Sequence, residues 1–248
     1  MSLLEELVAA ARKRAKDLPR DDPKPCSTAI RFDDALRGKD RLGVIAEFKQ
    51  SSPSLGVIAE RDVAAQVRTY AQSGAVAVSV VTEPTRFQGE LEHLERAAAV
   101  VDIPVLMKDF VVDPAQIRNA ARLGARAALL IVRCLSQSEL NELASACRHY
   151  GLVPFVECHD EKEVERALSI DEAVVGVNNR NLETLRIDRG IAIRLLQNVP
   201  RQRVVVAESG YEQPEETEEI RGLADAVLVG SALMKSHRPS GFIHEVSR

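Results

Sequence analysis

The chain has 248 residues, a formal net charge of −4, 45% hydrophobic residues and no tryptophan. Its mild, mixed charge excludes the concentrated basic face of a nucleic-acid binder, and no apolar run is long enough to span a bilayer. The four cysteines, Cys26, Cys134, Cys147 and Cys158, are dispersed without a C-x-x-C pair, so the expectation is a reduced cytoplasmic protein with neither a zinc site nor a disulfide framework.

In chain order, residues 2–17 place Leu3, Leu4, Leu7, Val8 and Ala11 at helical spacing, with Ser2 as N-cap. The same stretch mixes acids and bases, which argues against a signal peptide. A loop over 18–25 carries Pro19, Pro23 and Pro25, and 32–36 reads as a short helix. Residues 1–43 are too few to hold a core of their own. They are expected to form an N-terminal helical extension packed on one domain spanning 1–248.

A strand-then-helix pattern follows. Residues 44–48 read as a strand, 49–58 as a loop and 61–73 as a helix ended by Gly74. Further strands are expected at 77–81, 105–107, 127–132, 153–156, 174–177, 204–207 and 226–229. Helices are expected at 91–100, from Asp113 to Gly124, and at 136–150, 160–168, 188–196, 215–221 and 241–246. Asp113 with Gln116, Ser136 with Glu139, and Asp160 with Glu163 have the spacing of capping boxes. The strands are short, aliphatic and non-alternating, as in a parallel sheet covered on both faces. Eight such units predict an α/β protein, a closed (β/α)8 TIM barrel with an N-terminal helical extension.

In a barrel the carboxyl ends of the strands converge on one mouth. Here they carry Glu47 and Lys49, Thr82 and Glu83, Lys108, Arg133, Glu157, Asn178 and Arg180, Glu208 and Ser209, and Gly230 and Ser231. Lysines and glutamates gathered there shift one another's pKa values, as general acid–base chemistry needs. Ser209-Gly210 and Gly230-Ser231 follow the last two strands, the usual place of a barrel phosphate site, where glycines admit the phosphate close to backbone N–H groups. His159 reads as a loop residue without a catalytic role, His93 and His149 as solvated helix positions, and Arg12-Lys13-Arg14 as a solvated helix face. Cys158 has no neighbouring base, and no histidine spacing points to a metal.

Six segments carry a resemblance to a known family. They are Ile-Ala-Glu-Phe-Lys-Gln-Ser-Ser-Pro-Ser (45–54), Leu-Met-Lys-Asp-Phe (106–110), Phe-Val-Glu-Cys-His-Asp (155–160), Gly-Val-Asn-Asn-Arg-Asn-Leu-Glu-Thr (176–184), Ala-Glu-Ser-Gly (207–210) and Val-Gly-Ser-Ala-Leu-Met (229–234). In this order, and with the extra N-terminal helix, the chain resembles indole-3-glycerol phosphate synthase. The resemblance implies ring closure, decarboxylation and dehydration of 1-(2-carboxyphenylamino)-1-deoxyribulose 5-phosphate, in tryptophan biosynthesis, with no cofactor and no metal. It implies Lys108 as the general acid of ring closure, Glu157 as an aid to proton transfer, and Glu47 with Lys49 as an acid/base and positioning pair. Asn178, Arg180, Glu208 and Ser209 would orient the substrate, Phe87, Phe110 and Leu130 would enclose its aromatic ring, and Ser52, Gly210, Gly230 and Ser231 would cradle its phosphate.

Four positions depart from residues frequent in the family: Gln50 and Leu55 where basic residues are frequent, Glu90 for serine, and Tyr211 for isoleucine. All lie in or beside loops of the expected mouth. Two other readings compete: another phosphosugar enzyme on the same barrel, and a binding paralogue without turnover. The Lys49, Lys108 and Glu157 set argues against both. The expected partner is a small phosphorylated substrate, without nucleic acid or membrane, for a chain that is a monomer or at most a weak dimer.

Overall fold

Strands without a polar face need cover on both sides, and here they obtain it by closing on themselves inside a ring of helices. The computed structural model describes residues 2–19, 21–23, 30–37 and 41–248. Cys26 and Pro25 lie outside the described residues. The strands are β1 (Gly43–Phe48), β2 (Ala77–Val81), β3 (Val105–Lys108), β4 (Ala127–Ile131), β5 (Val153–Cys158), β6 (Val174–Asn178), β7 (Val205–Glu208) and β8 (Ala226–Val229). They pair in sequence order, all parallel, and β8 returns to β1, so no sheet edge is left open.

The register sets the level of each strand end. Glu47 pairs with Ser79, Val81 with Lys108, Ile131 with Glu157, and Asn178 with Glu208. Side chains alternate across a strand, so Glu47, Lys108, Glu157, Asn178 and Glu208 all face the inside of the barrel near its carboxyl end.

The extension packs on this frame. Helix α1 (Leu3–Ala15) starts in a capping box, with Glu5 N–H donating to Ser2 Oγ and Ser2 N–H to the Glu5 carboxylate. It buries Leu7, Ala11 and Ala15, one residue per turn. Arg14 is not solvated as its charged run suggests. Its guanidinium reaches Asp109, 2.7 Å away, and Glu83, 3.5 Å away. The second helix, α2 (Phe32–Leu36), sends Phe32 edge-on against Phe155, 6.1 Å between ring centres, two residues before Glu157 on β5.

Several local expectations change. The loop 49–58 holds a small antiparallel hairpin, Ser51–Ser52 with Gly56–Val57. Short helices at Pro84–Phe87 and Ser231–Lys235 escape sequence reading because four or five residues are too few to display a helical period. The segment Pro214–Ile220 is a 3-10 helix, not an α-helix; Thr217 and Ile220, its buried residues, stand three apart, which matches the 3-10 repeat. Strands β5 and β6 run on to Cys158 and Asn178, because a charged or polar residue can end its strand facing a polar interior. Only half of the expected box at Asp160 forms. Asp160 accepts from the Glu163 N–H, but the Glu163 carboxylate turns to His159 instead of to the Asp160 backbone.

Candidate active site

The inward residues meet at Lys108. Its Nζ lies 2.7 Å from Glu208 Oε2, 3.4 Å from Glu47 Oε2 and 3.9 Å from Glu157 Oε2. Lys49 Nζ takes the other Glu47 oxygen at 2.7 Å. Three carboxylates face two ammonium groups in a space almost closed to solvent, so their protonation states depend on one another. Burial would lower Lys108, but Glu208, Glu47 and Glu157 outweigh it and raise its pKa, holding it charged. Burial pushes Glu47 up, yet Lys49 and Lys108 prevail and hold it below the usual range. Burial also pushes Glu157 up; the His159 ring and Lys108 reverse this and hold it at about 2. Glu208 is the exception. Burial, against the pull of Lys108 and with the charge of Glu157 added, raises it to about 7. Its Oε1 is buried without a hydrogen bond among the described residues. The cluster thus holds a fixed cation, two firm carboxylates and one carboxyl poised near neutrality.

Two glycines make room for it. A Cβ on Gly230 would strike Glu47 Oε1 and come within 2.9 Å of Lys49 Nζ, and one on Gly176 would strike the Phe155 ring and Glu208 Oε1. Around the charges the cavity is lined by Phe87, Phe110, Val81 and Ile131 on one side, and by Ser209, Gly210, Gly230 and Ser231 on another. One half can take an apolar ring and the other an anion. Ser209 and Gly210 both have positive φ, 66° and 93°; for serine this is a strained conformation, held by the turn that leaves β7. Arg180 lines the same cavity and forms no ion pair among the described residues. It donates to Leu185 O at 3.0 Å and Ser54 Oγ at 3.3 Å, and so does not reach Glu208.

The family profile of indole-3-glycerol phosphate synthase matches residues 4–246. The chain belongs to the indole-3-glycerol phosphate synthase family. It is a carboxy-lyase of tryptophan biosynthesis on that ground. Among its relatives of this name, that of Deinococcus radiodurans is 47% identical over 214 residues, covering 83% of this chain and 80% of the relative. That of Koribacter versatilis is 41% identical over 242 residues, covering 96% and 93%. A thiamine phosphate pyrophosphorylase structure from Pyrococcus furiosus aligns at a TM-score of 0.62 with 14% identity, over 84% of this chain and 94% of the other; this likeness concerns the fold alone.

Within this family frame, most of the expected site residues line one cavity: Lys108, Glu157, Glu47, Lys49, Asn178, Arg180, Ser209, Phe87, Phe110, Gly210, Gly230 and Ser231, with Glu208 beneath. Two do not. Leu130 is fully buried and points away; its neighbours Leu129 and Ile131 line the cavity, since alternate positions of a strand face opposite sides. Ser52 sits in an adjoining depression with Ser54, Phe87, Arg180 and Leu3, Leu4 and Leu7 of α1. The extension therefore borders the mouth, which its sequence did not reveal.

One histidine differs from expectation, and a second is a loop residue as expected but buried. His93 is half-buried, edge-on to Phe48 at 5.5 Å, with a buried Nδ1 that makes no hydrogen bond among the described residues. His159 is buried behind Glu157. Of the four departures, only Tyr211 lines the cavity; Gln50 supports the hairpin base through its carbonyl, Leu55 is exposed at the hairpin tip, and Glu90 stands at a helix start. The Tyr211 hydroxyl lies 3.3 Å from Asn179 Nδ2, which also donates to Ser209 O. Asn179, fully buried, ties β6 to the β7 turn; adjacency to Asn178 was its only sequence signal.

Proposed function

We propose that the cluster around Lys108 carries out the three steps of indole-3-glycerol phosphate formation in one cavity. In ring closure the aromatic carbon bearing the carboxylate bonds to the ketone carbon, and Lys108 protonates the ketone oxygen as it becomes an alkoxide. Loss of carbon dioxide then returns the electron pair to the ring. In dehydration the new hydroxyl leaves as water while an adjacent proton is taken up, giving the indole. An ammonium held charged by three carboxylates suits the first step, because a fixed positive charge stabilises the developing oxyanion without reorganisation. Glu157, held ionised, suits proton acceptance, and Glu47 with Lys49 positions the ketone end. Which group supplies the proton to the departing hydroxyl is tested below through Glu208.

The supporting observation for the acid is the placement of Lys108 Nζ against Glu208, Glu47 and Glu157 in a cavity lined both by apolar side chains and by glycine-bearing turns. Phe87, Phe110 and Ile131 would enclose the aromatic ring. Ser209, Gly210, Gly230 and Ser231 would take the phosphate, with Asn178 orienting the chain between them. Arg180, a cation with no carboxylate partner among the described residues, would meet a substrate anion. The dispersed cysteines support the cytoplasm.

The test is product formation from the carboxyphenylamino substrate, followed by indole fluorescence, with Lys108→Ala as control. Turnover in the parent and none in a folded variant is the expected outcome. Phosphate-dependent binding without turnover in the parent would reduce the protein to a binding paralogue.

A further inference from the structure

Behind the carboxylates of the mouth lies a line of charge that the proposed chemistry does not use. It starts at Arg133, in the 3-10 turn Val132–Cys134 after β4. Arg133 Nε lies 2.9 Å from Glu163 Oε1, on the helix Glu161–Leu168. Glu163 Oε2 accepts from the His159 backbone N–H at 2.8 Å and stands 3.1 Å from its ring Nδ1. On the far side of the ring, Nε2 lies 3.4 Å from Glu157 Oε1, within ion-pair reach though not aligned as a hydrogen bond. The second Glu157 oxygen faces Lys108. The signs alternate from Arg133 near the outside to Lys108 in the cavity.

The contacts restrict the state of the ring. Glu163 Oε2 already takes one backbone N–H, and an unprotonated Nδ1 would set a lone pair against it. Nδ1 therefore carries a proton. Nε2 faces a carboxylate as well, so an unprotonated Nε2 requires that Glu157 itself take up a proton. A carboxylate at Glu157 and a doubly protonated ring at His159 are thus two descriptions of one arrangement. The charged groups facing the ring are Glu157 from β5, Glu163 from its helix and Arg133 from the 3-10 turn; Asp160 acts through Arg133, 3.8 Å away. The cysteines nearby, Cys134 and Cys158, are kept as thiols by burial and by the same carboxylates.

We propose that His159 is a positioning residue of this active site, an imidazolium clamped by Glu163 that keeps Glu157 ionised and aimed at Lys108. The proposal rests on the reading of Glu157 as a proton acceptor. Its electrostatic side is consistent with geometry: burial lowers the ring and the two glutamates more than reverse this, to about 9. Without the imidazolium, Glu157 loses its main counter-charge after Lys108 and becomes easier to protonate. Activity then fails first on the acid side.

The experiment compares the parent with His159→Gln, Glu163→Gln and Glu157→Gln over pH 5–9, with His149→Gln as a surface control, and with folding checked by circular dichroism. In the parent, Glu157 titrates well below this window; in His159→Gln an acid limb is expected to enter it from the low side. The rate loss would be about threefold or more at pH 5 and would vanish toward pH 8, with KM nearly constant. Glu163→Gln would move the limb in the same direction by less. Ring 15N resonances of His159 would report a doubly protonated imidazole at pH 7.5 in the parent. A limb that stays in place, a loss equal at every pH, or a neutral ring at pH 7.5 would each overturn the proposal. Full turnover in Glu157→Gln would instead remove the role of Glu157, and the positioning role with it, so the two failures are distinguishable.

Discussion

Lys108 and Asp109 are neighbours in sequence, both buried or nearly so, and each sits in a group of opposite charges. The two groups are built on different terms. Asp109 turns outward to α1. Its Oδ1 accepts from Arg14 and from the Phe110 N–H, each at 2.7 Å, and its Oδ2 from the Thr82 hydroxyl at 2.9 Å. Glu83 beside it accepts from the N–H groups of Thr85, Arg86 and Phe87. Donors and acceptors there are matched, and the result is an anchor joining the extension to β2 and β3. Lys108 turns inward, to three carboxylates at unequal distances, and Glu208 keeps a buried oxygen without a donor among the described residues. Matched burial holds a structure together, while unmatched burial stores the capacity to move protons. The two are adjacent, yet Lys108 ends β3 facing inward and Asp109 stands one residue beyond it, where the chain leaves the strand.

Substitutions can break or sharpen this contrast. The largest effect is expected from Lys108→Ala: a fall in kcat of about 10³-fold, within the range for losing a general acid and oxyanion partner, while phosphate-anchored binding and the fold persist. Steady-state kinetics with a circular dichroism check decides it. Gly230→Ala puts a methyl group where Glu47 and Lys49 meet. It is expected to cost about 10²-fold in kcat/KM, measured against an unchanged melting curve. The anchor should respond in the opposite way. Arg14→Ala leaves Asp109 with one partner fewer and is expected to lower stability by about 1–2 kcal/mol in denaturant unfolding, discounted because Arg14 is partly exposed. Its kcat should change less than about threefold.

A fourth outcome concerns pH. Glu208 is raised to about 7 in the folded chain, so between the ordinary carboxylate range and pH 7 the folded state binds more protons than the unfolded state. Its contribution to stability is therefore greatest at low pH and falls as pH rises toward 7. Glu208→Gln should narrow the fall in Tm between pH 5 and pH 8, by about 1 kcal/mol or 2–4 °C, and should remove a limb near neutrality from the kcat profile if Glu208 donates the proton to the leaving hydroxyl. The smallest effect is expected from Tyr211→Phe. Losing the hydroxyl beside Asn179 should change KM by less than about fivefold, because Asn179 keeps its bonds to Ser209 O and to the Ala192 N–H.

Much of the charged mouth was legible because its side chains follow directly on aliphatic strands. Lys108, Glu157, Glu47 and Asn178 stand at such ends, and Gly210 and Gly230 follow the two strands where a phosphate site is expected. What failed had physical causes. The resemblance assigns Leu130 to the ring enclosure, whereas the strand's alternation brings Leu129 and Ile131 to the cavity. Arg14 reads as a solvated position and His159 as a loop residue without a role, because a charged run and a helix-capping Asp160 describe local chemistry and carry no sign of a partner packed across from them.

The sequence alone determined the barrel and the inventory of its mouth. Periodicity, capping residues and glycine positions are local properties, and eight units of one kind leave few ways to cover both faces of their strands. Only the tertiary structure decided which charges meet. The contacts of Lys108 with Glu47 and Glu208, of Arg14 with Asp109, and of the Tyr211 hydroxyl with Asn179 join residues 61, 100, 95 and 32 positions apart. Such contacts depend on strand register and barrel closure, and these are set by the packing of the whole chain and by no segment within it.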